Sequence, residues 1–222
     1  MKESSLDLIL DDHSKLKNGL YLVLKRSADI LISGISLLLL WPIFLIVALM
    51  IKLDSKGVII FKQKRIGKNG KSIYIYKFRT MIPNADAVLE KMMKENSDIY
   101  REYTINKKLK HDPRVTKIGN FLRKTSLDEL PQLLNILIGD MSIVGPRPYL
   151  HREIEDMQPY YEEIIKMTPG LTGLWQVSGR NDITFKERCK LDSKYYHSRG
   201  IKQDVIIVIK TFAVVFLKKG AR

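Results

Sequence analysis

The stretch Ile30–Ile51, ILISGISLLLLWPIFLIVALMI, contains no charged residue. As a straight helix it would measure about 33 Å, enough to cross a hydrocarbon core of about 30 Å. A helix this apolar on every face is a poor candidate for a soluble core. It is also a poor cleaved signal peptide: it starts late, lacks a small-residue cleavage site and leads straight into KLDSKG. Trp41-Pro42 stands in mid-run. Proline removes a backbone donor and crowds the preceding turn, so a kink is expected there. Both flanks are basic, with Lys15, Lys17, Lys25 and Arg26 before the run and Lys52, Lys56, Lys62, Lys64 and Arg65 after it. A spanning helix normally has one flank poorer in Lys and Arg. Two topologies meet these conditions: a broken, re-entrant helix that returns to the face it entered, and a kinked spanning helix, since proline is tolerated in those.

The whole chain has 222 residues and a formal net charge of +14. That length holds one core plus an extra segment, and the charge favours anionic partners such as nucleic acid, lipid headgroups or phosphorylated substrates. A single cysteine, Cys189, excludes an intrachain disulfide. With no Cys/His cluster, it also argues against structural zinc. His13, His111, His151 and His197 are dispersed. No P-loop, G-x-G-x-x-G or G-x-S-x-G motif is present. Asn69-Gly70, between the apolar run Val58–Phe61 and SIYIYKF, predicts a hairpin with a basic tip. Helices are expected after Pro83-Asn84, through ELPQLLNILI up to Gly139, over Ile154–Ile165 and from about Thr184 to His197. The C-terminal VIIVIKTFAVVFLKK suits an interfacial helix with lysines at headgroup level. The fold class expected is α+β, predominantly helical, with a membrane helix, interfacial amphipathic helices and a small β-hairpin.

Several polar clusters suit anions. In TSLDELPQ, Ser126 and Glu129 have the S-x-x-E spacing of a capping box. With Ser126 as cap, however, Pro131 falls past the helix's free donors, whereas with Asp128 as cap it costs no hydrogen bond. The proline therefore favours a helix starting at Asp128. Such a carboxylate, at a positive helix end beside Arg123 and Lys124, would stay ionised and nucleophilic. In GPRP, two prolines fix Arg147 as a phosphate-matching fork. KFRTM places Lys77 and Arg79 on one strand face, and SGR offers Arg180 near Trp175. Arg123, Arg147, Arg79 and Lys77 are the candidate phosphate ligands; Arg180 and Trp175 are candidates for a nucleotide.

Together, KRSADILIS, FKQKRIGKNGK, YKFRTM, KLKHDPRVTKIGNFLRKTSLDELPQLLNILIGDMSIVGPRP and PGLTGLWQVSGRND resemble the bacterial sugar transferases, the monotopic polyprenyl-phosphate phosphoglycosyltransferases. The resemblance runs from about Lys25 to the C-terminus. It implies transfer of a sugar 1-phosphate from a UDP-sugar to undecaprenyl phosphate at the cytoplasmic face of the bacterial inner membrane, with release of UMP. It implies that Asp128 is the nucleophile, that Glu129 is a Mg²⁺ ligand, and that the membrane helix is re-entrant and broken at Trp41-Pro42. The corresponding division is a polar tail over 1–24, the membrane helix over 25–52, a cytoplasmic catalytic domain over 53–204 and an interfacial helix over 205–222. YREYTINKKLKHDPR and GLTGLWQVSGRND look more like the hexose-1-phosphate branch, which suggests UDP-galactose or UDP-glucose as donor. Gly57-Val58 departs from a Gly-Pro frequent in the family. Larger members carry additional N-terminal membrane helices and a nucleotide-binding-like domain, so regulation through these is not expected. The partners expected are the donor, the lipid acceptor and the membrane, not nucleic acid. The rival from another class is a basic, non-catalytic protein bound to the membrane surface or to nucleic acid. A second rival is a phosphotransferase acting on a different lipid alcohol.

Overall fold

The computed structural model describes residues 5–106, 109–179 and 183–216. Helix α1 (Ser5–Asp54) leads into an antiparallel hairpin, β1 (Ile60–Ile66) and β2 (Ser72–Phe78). Short helices α2 (Ala85–Glu95), α3 (Ser97–Asn106), α4 (Lys117–Thr125) and α5 (Gln132–Ile138) follow. Then come β3 (Ser142–Val144), α6 (Tyr161–Ile164), β4 (Gly170–Thr172), α7 (Leu174–Ser178), α8 (Phe185–Ser198) and α9 (Ile201–Phe216). The mostly helical α+β class is as expected. The tail expected over 1–24 is helical from Ser5 onward and continuous with α1. Pro42 lies inside α1 without dividing it: it removes only the bond to the Leu38 carbonyl, and helix persists on both sides.

One stripe of α1 meets the rest of the protein. Tyr21, Asp29, Ser33, Val47 and Ile51 are buried. Leu37 and Leu40 pack against Ile75, Leu133, Ile136 and Met141, and Phe44 packs with Phe78 and Leu122. These positions recur every three or four residues, the repeat of a single helix face. The other faces expose Leu31, Leu38, Leu39, Trp41, Leu45 and Leu49. By length and composition, Gly19–Asp54 is the one helix among the described residues apolar enough to cross a membrane.

Polar contacts tie both ends of this buried stripe to the same domain. Toward its start, Lys25 pairs with Asp204 of α9 at 2.7 Å. Arg26 donates to the Ile136 and Leu137 carbonyls at the end of α5, and Asp29 accepts from the Ile143 N–H. At its end, Arg79 donates to the Lys56 carbonyl (2.6 Å) and to the Ser55 carbonyl and hydroxyl (2.7 and 2.9 Å). A helix leaves its last carbonyls unpaired; Arg79 reaches that of Ile51 at 3.5 Å and holds the two residues that leave the helix. Gly57 makes room for it: φ is +125°, and a Cβ there would stand 2.0 Å from Arg79 Nη1.

The hairpin forms as the Asn69-Gly70 signal predicts, with Ile60 opposite Phe78 and Ile66 opposite Ser72. Asn69 takes the left-handed conformation at φ 56°. Buried Asn135 of α5 lies along the free edge of β2, accepting from the Tyr76 N–H (2.9 Å) and donating to the Tyr74 carbonyl (2.7 Å). Strands β3 and β4 pair in parallel, a pairing not anticipated from sequence. The helix expected over Ile154–Ile165 is reduced to turns and the short α6. On α9, Ile201, Val205, Ile209 and Phe212 form one exposed apolar face, the pattern expected of an interfacial helix.

Candidate active site

The acids of TSLDELPQ occupy a joint between two helices rather than a helix start. α4 ends at Ser126, which adopts a left-handed conformation (φ 58°) and donates its N–H to the Arg123 carbonyl. Leu127–Glu129 forms a single 3₁₀ turn, and α5 begins only after Pro131, which stands at its N-cap. The expected helix start at Asp128 is therefore corrected by four residues. Neither does the capping box form, since the Ser126 side chain makes no cap hydrogen bond. A 3₁₀ turn accommodates Pro131 as readily, because the bonds there run from Leu130 N–H to the Leu127 carbonyl and from Leu133 N–H to the Leu130 carbonyl.

Leu127 and Leu130 anchor this turn by packing on a cluster formed by Val47 and Ile51 of α1, Phe78 of β2 and Leu122 of α4. Between them, Asp128 is buried and Glu129 is partly exposed. Lys77 of β2 pairs with Glu129 at 2.6 Å. Burial, followed by the neighbouring Glu129 charge, raises the Asp128 carboxyl to about 6, with Lys77 and Arg123 acting in the opposite direction. The sequence predicts an ionised Asp128; desolvation is the largest influence on it, and the group is a carboxylate at neutral pH that protonates in mild acid. Arg123 is itself largely removed from water, which lowers its pKa, and its Nε donates to Thr80 at 3.0 Å.

Of the remaining candidates, Arg79 is committed to the end of α1, as described above. Trp175 is buried with two guanidiniums over its ring, Arg147 at 5.8 Å and Arg188 at 5.2 Å. It is placed to hold arginines, not to stack on a base. Arg180 lies outside the described residues. Arg147 projects from the GPRP turn, whose backbone is held from several sides. The Gly145 N–H donates to the Thr172 carbonyl and the Gly170 N–H to the Pro146 carbonyl. A Cβ on Gly170 would lie 2.1 Å from the Gly145 nitrogen, so only glycine permits this approach. Asp192 of α8 accepts from the Arg147 N–H (3.1 Å) and the Tyr149 hydroxyl (2.8 Å).

Three participants escaped the sequence reading. Arg65, taken there only as part of a basic flank, is buried on β1. It donates to Gln63 and, at 3.0 Å, to the Pro148 carbonyl. Burial and then the charge of Arg147 lower it to about 9. Arg188 and Asp192 stand four apart on α8, both buried. That spacing, which puts both on one helix face, was the signal available.

The arrangement is thus a buried, activatable carboxylate beside a second carboxylate, faced by Lys77 and Arg123, with further arginines along the GPRP turn. Residues 20–218 match the family described as bacterial sugar transferase. The chain belongs to the bacterial sugar transferase family. This sugar transferase is 46% identical over 197 residues to the exopolysaccharide production protein ExoY of Sinorhizobium fredii, covering 89% of the chain and 87% of that relative. It is 41% identical over 198 residues to the undecaprenyl-phosphate galactose phosphotransferase of Salmonella typhimurium. It is 40% identical over 212 residues to the UDP-glucose:undecaprenyl-phosphate glucose-1-phosphate transferase of Escherichia coli. The last two are longer: 89% and 92% of this chain match 41% and 42% of them.

Proposed function

We propose that this sugar transferase moves a hexose 1-phosphate, galactose or glucose, from its UDP-sugar to undecaprenyl phosphate, an early membrane step in making a bacterial exopolysaccharide or capsule. The observation that carries the reading is Asp128, buried beside Glu129 on a turn that packs on the cluster joining the membrane helix to β2 and α4. An Asp128 oxygen attacks the sugar-proximal phosphorus, and the bond to UMP breaks with its electron pair leaving on UMP. The acyl phosphate so formed keeps a high transfer potential. An oxygen of the lipid phosphate then attacks the same phosphorus and returns Asp128 as a carboxylate, which gives ping-pong kinetics. Lys77 and Arg123 stand where negative charge develops on the phosphoryl oxygens.

Mg²⁺ suits this donor set. Among the described residues no group of three or more His, Cys, Asp or Glu could form an all-protein cage. Mg²⁺ characteristically takes one or two carboxylates and shares the rest of its shell with water and substrate phosphates. Glu129 would hold it, and when bound it neutralises charge on the donor diphosphate. UMP release from a panel of UDP-sugars, with undecaprenyl phosphate present, tests the reaction. Asp128→Asn should abolish release, and a phosphosugar adduct should be trapped on Asp128. Turnover at the wild-type rate by that variant would end the nucleophile assignment, and transfer only to another lipid alcohol would end the acceptor assignment.

The topology proposed with this function is re-entrant, with the catalytic domain on the cytoplasmic face of the inner membrane. Its support is the stripe from Tyr21 to Ile51, roughly 45 Å of helix, which stays against one basic domain, with polar contacts at both ends. A helix crossing the bilayer would carry those two sets of contacts to opposite sides. Cysteines introduced at positions 20 and 56 should label from the same side; labelling from opposite sides would overturn this topology.

A further inference from the structure

The turn that presents Arg147 carries more cationic charge than its surroundings balance. Arg65, Arg147 and Arg188 lie close enough that Arg147 depresses the pKa of the other two. Arg188 is only 4% exposed. Among the described residues its guanidinium makes one hydrogen bond, from Nη2 to the Ile183 carbonyl at 3.1 Å, and its Nε has no partner. Arg147 Nε, Trp175 Nε1 and Gln176 Oε1 are likewise buried and unpartnered. Among the described residues, none of the three arginines has a carboxylate within ion-pair distance. Of the nearby acids, Glu153 accepts the Leu150 N–H, and Asp192 accepts the Arg147 N–H and the Tyr149 hydroxyl through Oδ2 while its Oδ1 is buried without a partner.

Burying a guanidinium without a counter-charge is strongly unfavourable. The indole of Trp175 offsets only part of that, since a cation–π contact is the weaker effect. α8 also does two things for one turn. Asp192 fixes its backbone while Arg188, one helical turn earlier, places a second guanidinium beside that of Arg147. A stabilising role alone would need Asp192 but not a second unpaired arginine.

We infer that Arg147 and Arg188, spaced by Trp175 and backed by Arg65, form a phosphate cradle for the nucleotide-side phosphate of the donor, the one that departs with UMP. This rests on the transfer reaction proposed above and adds to it the residues that hold the leaving group. The lipid phosphate is the other possible source of the same anion, and the surface separates the two. The exposed residues of α8 are polar, Lys186, Glu187, Lys190 and Lys194 among them, and none of its large apolar side chains is exposed. By contrast α4, α5 and α9 expose Phe121, Leu134, Ile138, Ile209 and Phe212 beside α1. The cradle is built on a water-facing helix, where a soluble nucleotide arrives, and Asp128 on the apolar side, where a lipid does.

The test uses the full-length chain in lipid nanodiscs and reads UMP binding by calorimetry without turnover, alongside KM for donor and for acceptor. Arg188→Gln should weaken UMP binding at least about tenfold, as expected for losing a charge-assisted contact. It should raise donor KM similarly and leave acceptor KM within about twofold. Arg188→Lys, which keeps a cation over the indole, should fall between and guards against simple misfolding. UMP affinity unchanged in both variants would overturn the inference. So would a rise confined to acceptor KM, which would assign the cradle to the lipid phosphate. If the wild type bound UMP but released none from any UDP-sugar, the transfer reading alone would fail, because the binding measurement judges the cradle separately.

Discussion

Replacing Arg79 with methionine separates two readings of one residue. From sequence, Arg79 shares a strand face with Lys77 and looks like a phosphate ligand. In the structure its guanidinium makes three hydrogen bonds of 2.6–2.9 Å to Ser55 and Lys56, closing the end of α1. A hydrogen bond from a charged donor contributes about 1.5–3 kcal/mol. The bonds share one side chain, and water can reach part of the vacated helix end, so the loss should total about 3–5 kcal/mol rather than the full sum. For a chain of this size, each kcal/mol moves Tm by roughly 2–4 °C, which gives a fall of roughly 6–20 °C. Thermal unfolding in nanodiscs measures this, paired with UMP release normalised to folded protein well below Tm. Donor kcat/KM per folded molecule should stay within about threefold. Gly57→Ala should act in the same direction, because its Cβ would stand 2.0 Å from Arg79 Nη1. An unchanged Tm combined with a hundredfold loss of donor kcat/KM would refute the capping role and restore the phosphate-ligand reading.

Three further outcomes are expected. The Asp128 carboxyl is raised to about 6 and Lys77 opposes that rise, so on the proposed mechanism the attacking carboxylate is lost as pH falls through this value. Lys77→Met should push the carboxyl higher and move the acid limb of UMP release toward neutral pH, read from a pH–rate profile of both proteins. Burial raises Asp192 from the ordinary carboxylate range to about 7; a group raised on folding favours the folded state at low pH, and that contribution is lost as pH climbs to 7. Asp192→Asn should therefore remove a fall in Tm between pH 4 and 7, seen by comparing the two Tm–pH curves. Asn135→Leu should cost about 2–5 kcal/mol, since it orphans the Tyr76 N–H and the Tyr74 carbonyl, and protease resistance would fall with it.

Local signals in the sequence were reliable where one residue type has one use. Asn69-Gly70 placed the hairpin, and Thr184 with Glu187 capped α8 where the helix was expected. Strands β3 and β4 are three residues each, too short for alternation to register. At the acids, the spacing of Ser126, Glu129 and Pro131 left out one possibility, a tight 3₁₀ turn entered through a left-handed Ser126. Lys77, Arg123, Asp128 and Glu129 do converge as expected. Arg79 is drawn away because α1 must be capped, a demand made by a segment some 25 residues earlier in the chain. Arg188 was hidden by context: KERCKLDSK reads as a solvated helix, yet Arg188, Cys189, Asp192 and Ser193 are its buried positions. A helix whose inner face is largely polar has lost the usual hydrophobic signature, and the four-residue spacing of Arg188 and Asp192 was the one trace of that face left in the sequence.

The same inversion bears on how one domain serves two phases. On the proposed mechanism a soluble nucleotide and a membrane lipid present phosphates to one carboxylate, and the two approaches need opposite surfaces. The buried stripe of α1 runs beside α5 and α4, and α4 leads directly into the turn that carries Asp128. Leu127 and Leu130, which pin this turn, pack on the cluster that Val47 and Ile51 of α1 share with Phe78 and Leu122, so a shift of α1 in the bilayer would reach the turn through that cluster. Lys77 and Arg65 come from the hairpin that follows α1, so the cations facing the acids are set by the same membrane helix. On the re-entrant reading, the depth at which α1 settles is what holds Asp128 at headgroup level. α8, packed on the far side of the GPRP turn, keeps the nucleotide end in water. Membrane thickness should then affect the second half-reaction, in which the lipid phosphate must reach Asp128, more than the first.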